Sequence, residues 1–162
     1  MDFIIRKGGE EDMPSVLSLI TELAIFENEP DAVKITVKDL TENGFKEHPA
    51  FRTFVAEVAG NIVGMALFYN RFSTWEGKSI HLEDLVVKKE FRGTGIGKAL
   101  YTKVLEYAYK NNANRAEWVV LDWNKVAADF YVGTGAKMLE DWNLCQMNRS
   151  TMQKYLEQNE SI

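Results

Sequence analysis

The sequence predicts one mixed α/β domain of the α+β kind, and three observations carry that expectation. Short apolar strand segments stand side by side around Gly60-Asn61, helical stretches separate the others, and one strand runs through a glycine-rich turn into a long helix. The chain's 162 residues suit a single domain with a substantial core. Repeats, linkers and low-complexity tracts are absent.

Phe3-Ile4-Ile5-Arg6 reads as a first strand ended by Gly8-Gly9. Asp12 is a helix cap ahead of Pro14, and Val16, Ile20, Leu23 and Ala24 follow at helical spacing until Asn28-Glu29-Pro30 breaks the run. Thr36-Val37-Lys38-Asp39 is a capping box for a short helix that stops at Asn43-Gly44. Phe51 to Val58 and Ile62 to Tyr69 form a strand pair, and Gly60-Asn61 is the hairpin signal between them. A loop from Arg71 to Lys78 leads to a strand from Ser79 to Val87.

Gly97, Leu100, Tyr101, Val104, Leu105 and Ala108 mark the buried stripe of the next helix. Arg115 to Leu121 is a further strand. Asn124 caps a short helix through Tyr131 that ends at Gly133-Thr134-Gly135. Met138 to Met147 is expected to supply the last strand or hairpin, and Ser150-Thr151-Met152-Gln153 to cap a terminal helix.

The stretch Arg92-Gly93-Thr94-Gly95-Ile96-Gly97 carries the first chemical inference. A strand turning through glycines into a helix offers free backbone N–H groups at the positive end of the helix dipole, which suits an anion. Arg92 adds donors matched to phosphate oxygens. A P-loop would need glycine at position 92 and a hydroxyl residue after Lys98, where Ala99 stands. A Rossmann fingerprint starting at Gly93 or Gly95 would need its third glycine at Lys98 or Leu100. Both patterns fail, so the loop is expected to hold a different pyrophosphate.

Composition excludes several classes. Cys145 is the only cysteine, so no intrachain disulfide forms, and with only His48 and His81 besides, a zinc site is not expected. Nothing apolar is long enough to span a membrane, and the first residues do not read as a signal peptide. A cytoplasmic protein without membrane partners is expected. The net charge of −5 argues against nucleic acid and is compatible with a cationic substrate.

Arg92-x-x-Gly95-x-Gly97, with a strand before it and an amphipathic helix after, resembles the acetyl-coenzyme A loop of the GNAT N-acetyltransferases. The resemblance extends along nearly the whole chain. Leu23-Ala24-Ile25-Phe26-Glu27, Glu42-Asn43-Gly44-Phe45, Trp75-Glu76-Gly77-Lys78, Leu82-Glu83-Asp84 and Trp123-Asn124 with Phe130-Tyr131 are similar to segments of the diamine acetyltransferases. That group comprises the spermidine/spermine and thialysine enzymes. It implies a GNAT fold with a mixed twisted sheet of six to seven strands and about four to five helices. It also implies acetyl-coenzyme A as cosubstrate, no metal, a homodimer, and direct attack by a primary amine of a polyamine, diamine or lysine analogue in a ternary complex.

Such an amine is protonated at neutral pH, with a pKa near 10.4, so the site needs a base, oxyanion donors and an acid for the departing thiolate. By resemblance Tyr131 is the candidate acid and Glu83 the candidate base, acting through water. Consecutive Glu83 and Asp84 should point to opposite faces of a regular strand; only a bulge brings them to one side. Leu85, Val86, Val87, Arg92, Gly93, Thr94, Gly95, Ile96, Gly97, Lys98, Asn124 and Tyr131 are the expected coenzyme contacts. Phe26, Glu27, Glu83, Asp84, Glu117, Trp118, Val119 and Asp122 are the expected amine side, with Glu27 equally readable as an exposed helix end. Phe26 in place of a frequent tyrosine, Leu85-Val86 in place of a more aromatic pair, and Asp122 in place of a glutamate all depart from the polyamine enzymes on the amine side. Peptide acetylation is the alternative reading, and a non-catalytic acyl-coenzyme A-binding domain is the third.

Overall fold

The computed structural model describes residues 2–159. The chain divides into two compact units, Met1–Leu121 and Asp122–Ile162. The first contains strands β1 (Ile4–Lys7), β2 (Arg52–Val58), β3 (Asn61–Ser73), β4 (Gly77–Val87) and β5 (Arg115–Glu117), with helices α1 (Met13–Phe26), α2 (Val37–Gly44) and α3 (Ile96–Lys110). They form one sheet in the order β1-β2-β3-β4-β5, antiparallel except for β5, which runs parallel to β4.

Local chemistry accounts for most of these boundaries. The β2–β3 turn is Ala59-Gly60, one residue earlier than the Gly60-Asn61 signal. Both turn residues have positive φ, +48° and +78°, the pattern of the two-residue turn whose twist matches a hairpin. Asn61 starts the strand instead and donates from Nδ2 to the Ala59 carbonyl at 3.1 Å. The connection from β3 to β4 is shorter than the expected 71–78 loop, because Ser73 Oγ accepts from the backbone N–H groups of Trp75 and Glu76.

The Thr36–Asp39 capping box forms as expected: Thr36 Oγ1 accepts from Asp39 N at 3.2 Å, and the Asp39 carboxylate accepts from Thr36 N at 2.8 Å. Asp12 does stand at the cap of α1, yet its side chain makes no cap bond there. Its carboxylate instead accepts from Gly9 N and from both terminal nitrogens of Arg6.

Opposite residues on paired strands share a face. On one face Val55, Met65, Leu67 and Val86 pack with Met13, Val16 and Leu19 of α1 and Leu40 of α2. Each such buried aliphatic side chain contributes about 1.5–3 kcal/mol. On the other face Phe54 and Phe68 stack at 5.3 Å, and Phe68 meets Tyr107 of α3 at 5.0 Å. Gly64 sits beneath α3, where a Cβ would lie 3.0 Å from the Val86 carbonyl oxygen and 3.3 Å from Leu100 Cδ1.

The second unit holds α4 (Lys125–Gly133) and α5 (Arg149–Gln158). Asn124 caps α4 by accepting from Ala127 N. The cap of α5 is Asn148, which accepts from Thr151 N at 2.9 Å, not the expected Ser150.

Two strand expectations are corrected. No strand forms across Met138 to Met147, where Leu139, Trp142 and Leu144 are all more than half exposed. With no side of the segment buried, nothing holds it as a strand. The strand expected from Arg115 to Leu121 ends at Glu117, whose partner is His81. Beyond that pair β4 leaves regular register, which ends the ladder. Among the described residues the sheet therefore has five strands, not six to seven, while the five α-helices match the expected number. No helix among the described residues is long and apolar enough to cross a membrane.

Candidate active site

The irregularity in β4 organises the site. Phe68 pairs with Leu82 and Leu67 with Asp84, leaving Glu83 as an extra residue with no partner across the ladder. This is a β-bulge, and it resets the alternation of side chains. Leu82 faces α3 with Phe68, whereas Asp84 faces α1 with Leu67. Glu83 hydrogen-bonds Tyr69 of β3, so both carboxylates reach the same side. Both line a cleft of about 490 Å³ whose walls include Ile20 of α1, Val33, Ile35, Leu40, Phe51 and Leu67. The sequence permitted this arrangement only if the strand bulged, and it does.

Electrostatics in the cleft follow from burial and like charge. Asp84 is pushed up to about 6, first by burial and then by the negative charges of Glu83 and Glu27. Glu27, at the C-terminal end of α1, is also raised, by burial. Its half-buried position sets aside the reading of a fully solvated helix end. Asp84 thus sits in the negative field of two further carboxylates. It shares with Glu83 a cleft whose other walls are largely apolar, an arrangement suited to a ligand with a cationic head and an alkyl body.

Glu83 accepts from the Tyr69 hydroxyl at 2.9 Å, and His81 Nε2 approaches the same oxygen, Oε2, to 3.5 Å. Tyr69 is pushed up to about 12 by burial and by its bond to Glu83, so it stays protonated. His81 Nδ1 lies 3.3 Å from Arg71 Nη1. Arg71 pairs with Glu117 at 2.5 Å, and Arg115 pairs with the same carboxylate at 2.9 Å. Glu117, expected on the amine side, is thus held between two arginines. Sequence reading missed Tyr69, His81 and Arg71. A signal existed, because Tyr69 and His81 are equidistant from the hairpin tip and become direct cross-strand partners.

After Val87 a single turn at Lys89–Phe91 leads into the glycine loop. Gly93 and Gly95 have φ of +77° and +91°, which other residues adopt only at a cost. A Cβ at either would meet nothing within 4 Å, so the space beside the loop is open to a ligand. Thr94 Oγ1 donates to the Phe91 carbonyl at 2.6 Å, which fixes the turn. The N–H groups of the first turn of α3, including Ile96, Gly97 and Lys98, begin just after Gly95.

Arg92 does more than offer cationic charge. Its Nε donates to the Val87 carbonyl at 3.0 Å, and its guanidinium lies over the Phe26 ring at 5.1 Å. Phe26 thereby links the end of α1 to the loop, a role that needs no hydroxyl. Val86 is buried in the core, so only its backbone can meet a coenzyme, while Leu85 and Val87 are half-buried. Trp118 stands edge-on to Tyr101 at 5.5 Å, and Val119 is exposed.

In the second unit Tyr131 is 8% exposed on α4, its ring 5.3 Å from that of Phe130. Its carbonyl accepts from Thr134 Oγ1 at 2.7 Å. Asn124 spends its side-chain oxygen on the helix cap, and Asp122 is exposed just before it. Among the described residues no group of three His, Cys, Asp or Glu side chains is placed to hold a metal ion.

Comparison with known proteins identifies the family. The profile of the Acetyltransferase (GNAT) family matches residues 16–135. Thialysine N-epsilon-acetyltransferase of Bos taurus is 38% identical over 162 residues, covering 93% of this chain and 95% of that protein. The spermidine/spermine N(1)-acetyltransferase-like protein 1 of Homo sapiens is 34% identical over 160 residues, 93% of this chain but 23% of that longer protein. Among solved structures an integron cassette protein from V. cholerae superimposes with a TM-score of 0.79 at 21% identity, covering 97% of this chain and 99% of the other. The chain belongs to the GNAT acetyltransferase family and is an N-acetyltransferase.

Proposed function

We propose that the protein transfers the acetyl group of acetyl-coenzyme A to a primary amine of a small cationic substrate, a diamine, polyamine or lysine analogue, in a ternary complex. The observation that carries this reading is the bulge at Glu83, which gathers Glu83 and Asp84 on the wall of one apolar cleft. The names of the thialysine and spermidine/spermine-like relatives support the substrate class.

The open glycine loop and the N-terminus of α3 fit a pyrophosphate, with Arg92 beside them. Glu83 takes a proton from the substrate ammonium, directly or through one water. The freed nitrogen attacks the thioester carbonyl carbon, a C–N bond forms, and the nitrogen gives a second proton to water as the C–S bond breaks, while Glu83 returns its proton to solvent. Tyr131 gives its proton to the departing thiolate and is reprotonated from solvent, so the net products are an acetamide, the coenzyme thiol and one released proton. The assignment of Tyr131 rests on its sequence context and on the neutrality of a phenol with a pKa of about 10 at pH 7. Asp84 and Glu27 attract the cationic head of the substrate, and the apolar walls take its methylenes.

The test is thiol release from acetyl-coenzyme A with spermidine, a short diamine, thialysine, lysine and a basic peptide in parallel. Release with one or more free amines, ahead of the peptide, is expected. Release with the peptide alone, or with none, overturns the small-amine reading. For the acid, Tyr131→Phe should lower kcat on the order of 10²-fold with little change in coenzyme affinity. Unchanged turnover with chemistry rate-limiting removes Tyr131 from that role.

A further inference from the structure

We propose that Tyr69 and His81 are positioning residues that hold Oε2 of Glu83 and leave Oε1 to face the amine. This rests on the reading of Glu83 as the base. Both groups converge on the same oxygen, the phenol at 2.9 Å and the imidazole Nε2 at 3.5 Å. They are direct partners across the β3–β4 ladder, and their rings lie 5.1 Å apart at 30°. The Glu83 side chain is 51% exposed. An exposed glutamate has many rotamers, and a base that wanders loses much of the benefit of proximity.

The hydrogen-bonding inventory assigns the tautomer. Arg71 can only donate, so the nitrogen that faces it at 3.3 Å, Nδ1 of His81, must accept. The proton of the neutral ring then sits on Nε2, the nitrogen 3.5 Å from Oε2 of Glu83. Arg71 is in turn held by Glu117 of β5, which also pairs with Arg115. The groups facing the imidazole are thus Glu83 on its own strand, Tyr69 and Arg71 on β3, and Glu117 on β5. Burial and Arg71 hold His81 below its ordinary value, against the opposing pull of Glu83 and Glu117. The ring therefore stays neutral to lower pH than a free histidine does.

Three measurements test this. First, ring ¹⁵N NMR of the unliganded protein, with the other histidine assigned through His48→Gln, should show His81 as the Nε2–H tautomer, titrating below 6.5, the usual histidine value. The Nδ1–H tautomer, or a ring already charged at pH 6.5, overturns the proposal without any reference to activity.

Second, Tyr69→Phe should lower kcat about five- to tenfold, a part of the 10²-fold or more expected for the base itself, with KM within about twofold. Its melting temperature should stay close to that of the wild type. A variant with wild-type kcat, or with KM alone affected, overturns the role of Tyr69.

Third, Arg71→Met removes the cation that opposes protonation of His81, so the imidazolium should form at higher pH. A positive ring makes Glu83 a weaker base, so activity should fall as His81 charges, and the acid limb of the kcat/KM profile that His81 sets should move to higher pH. An unmoved limb overturns the role of His81. Glu83→Gln, measured in the same assay, separates the two levels of argument. Full activity there removes the base reading itself, whereas a dead Glu83→Gln with unaltered Tyr69→Phe and Arg71→Met removes only the positioning.

Discussion

Two ion clusters span this sheet, and their difference shows what separates support from chemistry. At the β1–β2 edge Arg6 donates from Nη1 and Nη2 to Asp12 at 2.6 and 2.8 Å and from Nε to Glu57 at 2.8 Å. Gly9 N donates to Asp12 as well. The Asp12 side chain is 6% exposed and lies well below the usual carboxylate range, chiefly because of its bond to Arg6. This cluster is closed, since its donors and acceptors answer one another. The cluster from Arg115 through Glu117, Arg71 and His81 to Glu83 is open, because its last carboxylate is half exposed on a cleft. Charge spent inward stabilises a fold, and charge left facing outward is available to a substrate.

The sharpest way to break the comparison is to neutralise one carboxylate in each cluster. Glu83→Gln should lower kcat by about 10²-fold or more while leaving thermal unfolding almost unchanged. Asp12→Ala should do the reverse, costing about 2 kcal/mol in urea unfolding with kcat preserved. If both variants lose activity without loss of stability, the division between the clusters fails.

The pH dependence of that cost sharpens it. Because the Asp12 carboxyl is depressed in the folded state, its contribution is complete above the unfolded value of about 3.9 and is lost as pH falls through the folded value. The stability gap between wild type and Asp12→Ala should therefore narrow below about pH 4. Asp84 carries the opposite sign. With its folded value raised to about 6, its ionised form opposes folding at neutral pH, and stability rises on acidification from about 6 toward 4. Asp84→Asn should accordingly stabilise the protein at pH 7 by about 1 kcal/mol, flatten that pH dependence, and raise KM for the amine. A destabilised Asp84→Asn would place Asp84 with the closed cluster.

Much of the fold was legible because local rules decided it. Thr36 with Asp39, Asn124, and the glycines from 93 to 97 specify their elements within a few residues of chain. What escaped the sequence depended on register. The Tyr69–Glu83 bond joins residues 14 apart across a hairpin whose ladder shifts at Glu83 itself. No periodicity announces such a shift, although the adjacent Glu83-Asp84 made it a stated condition. The expected strand across Met138 to Met147 failed for a different reason: Leu139, Trp142 and Leu144 are all exposed, and apolar residues without a buried side do not make a strand. Arg92 was legible as a cation, while its stacking on Phe26 required the end of α1 to be placed beside it.

The bulge at Glu83 also divides β4 into two stretches of opposite parity. From Gly77 to Leu82 the even-numbered residues Ile80 and Leu82 face α3; from Asp84 to Val87 the even-numbered residues face α1. Deleting Glu83 would leave Leu82 and Asp84 adjacent on a regular ladder and still on opposite faces, so both halves of the core could survive. Deleting one residue anywhere else in the strand would instead turn a whole stretch inside out. The inserted residue is thus the one position in β4 where length can change without exchanging inside for outside, a natural point for the active site to be gained, lost or redesigned.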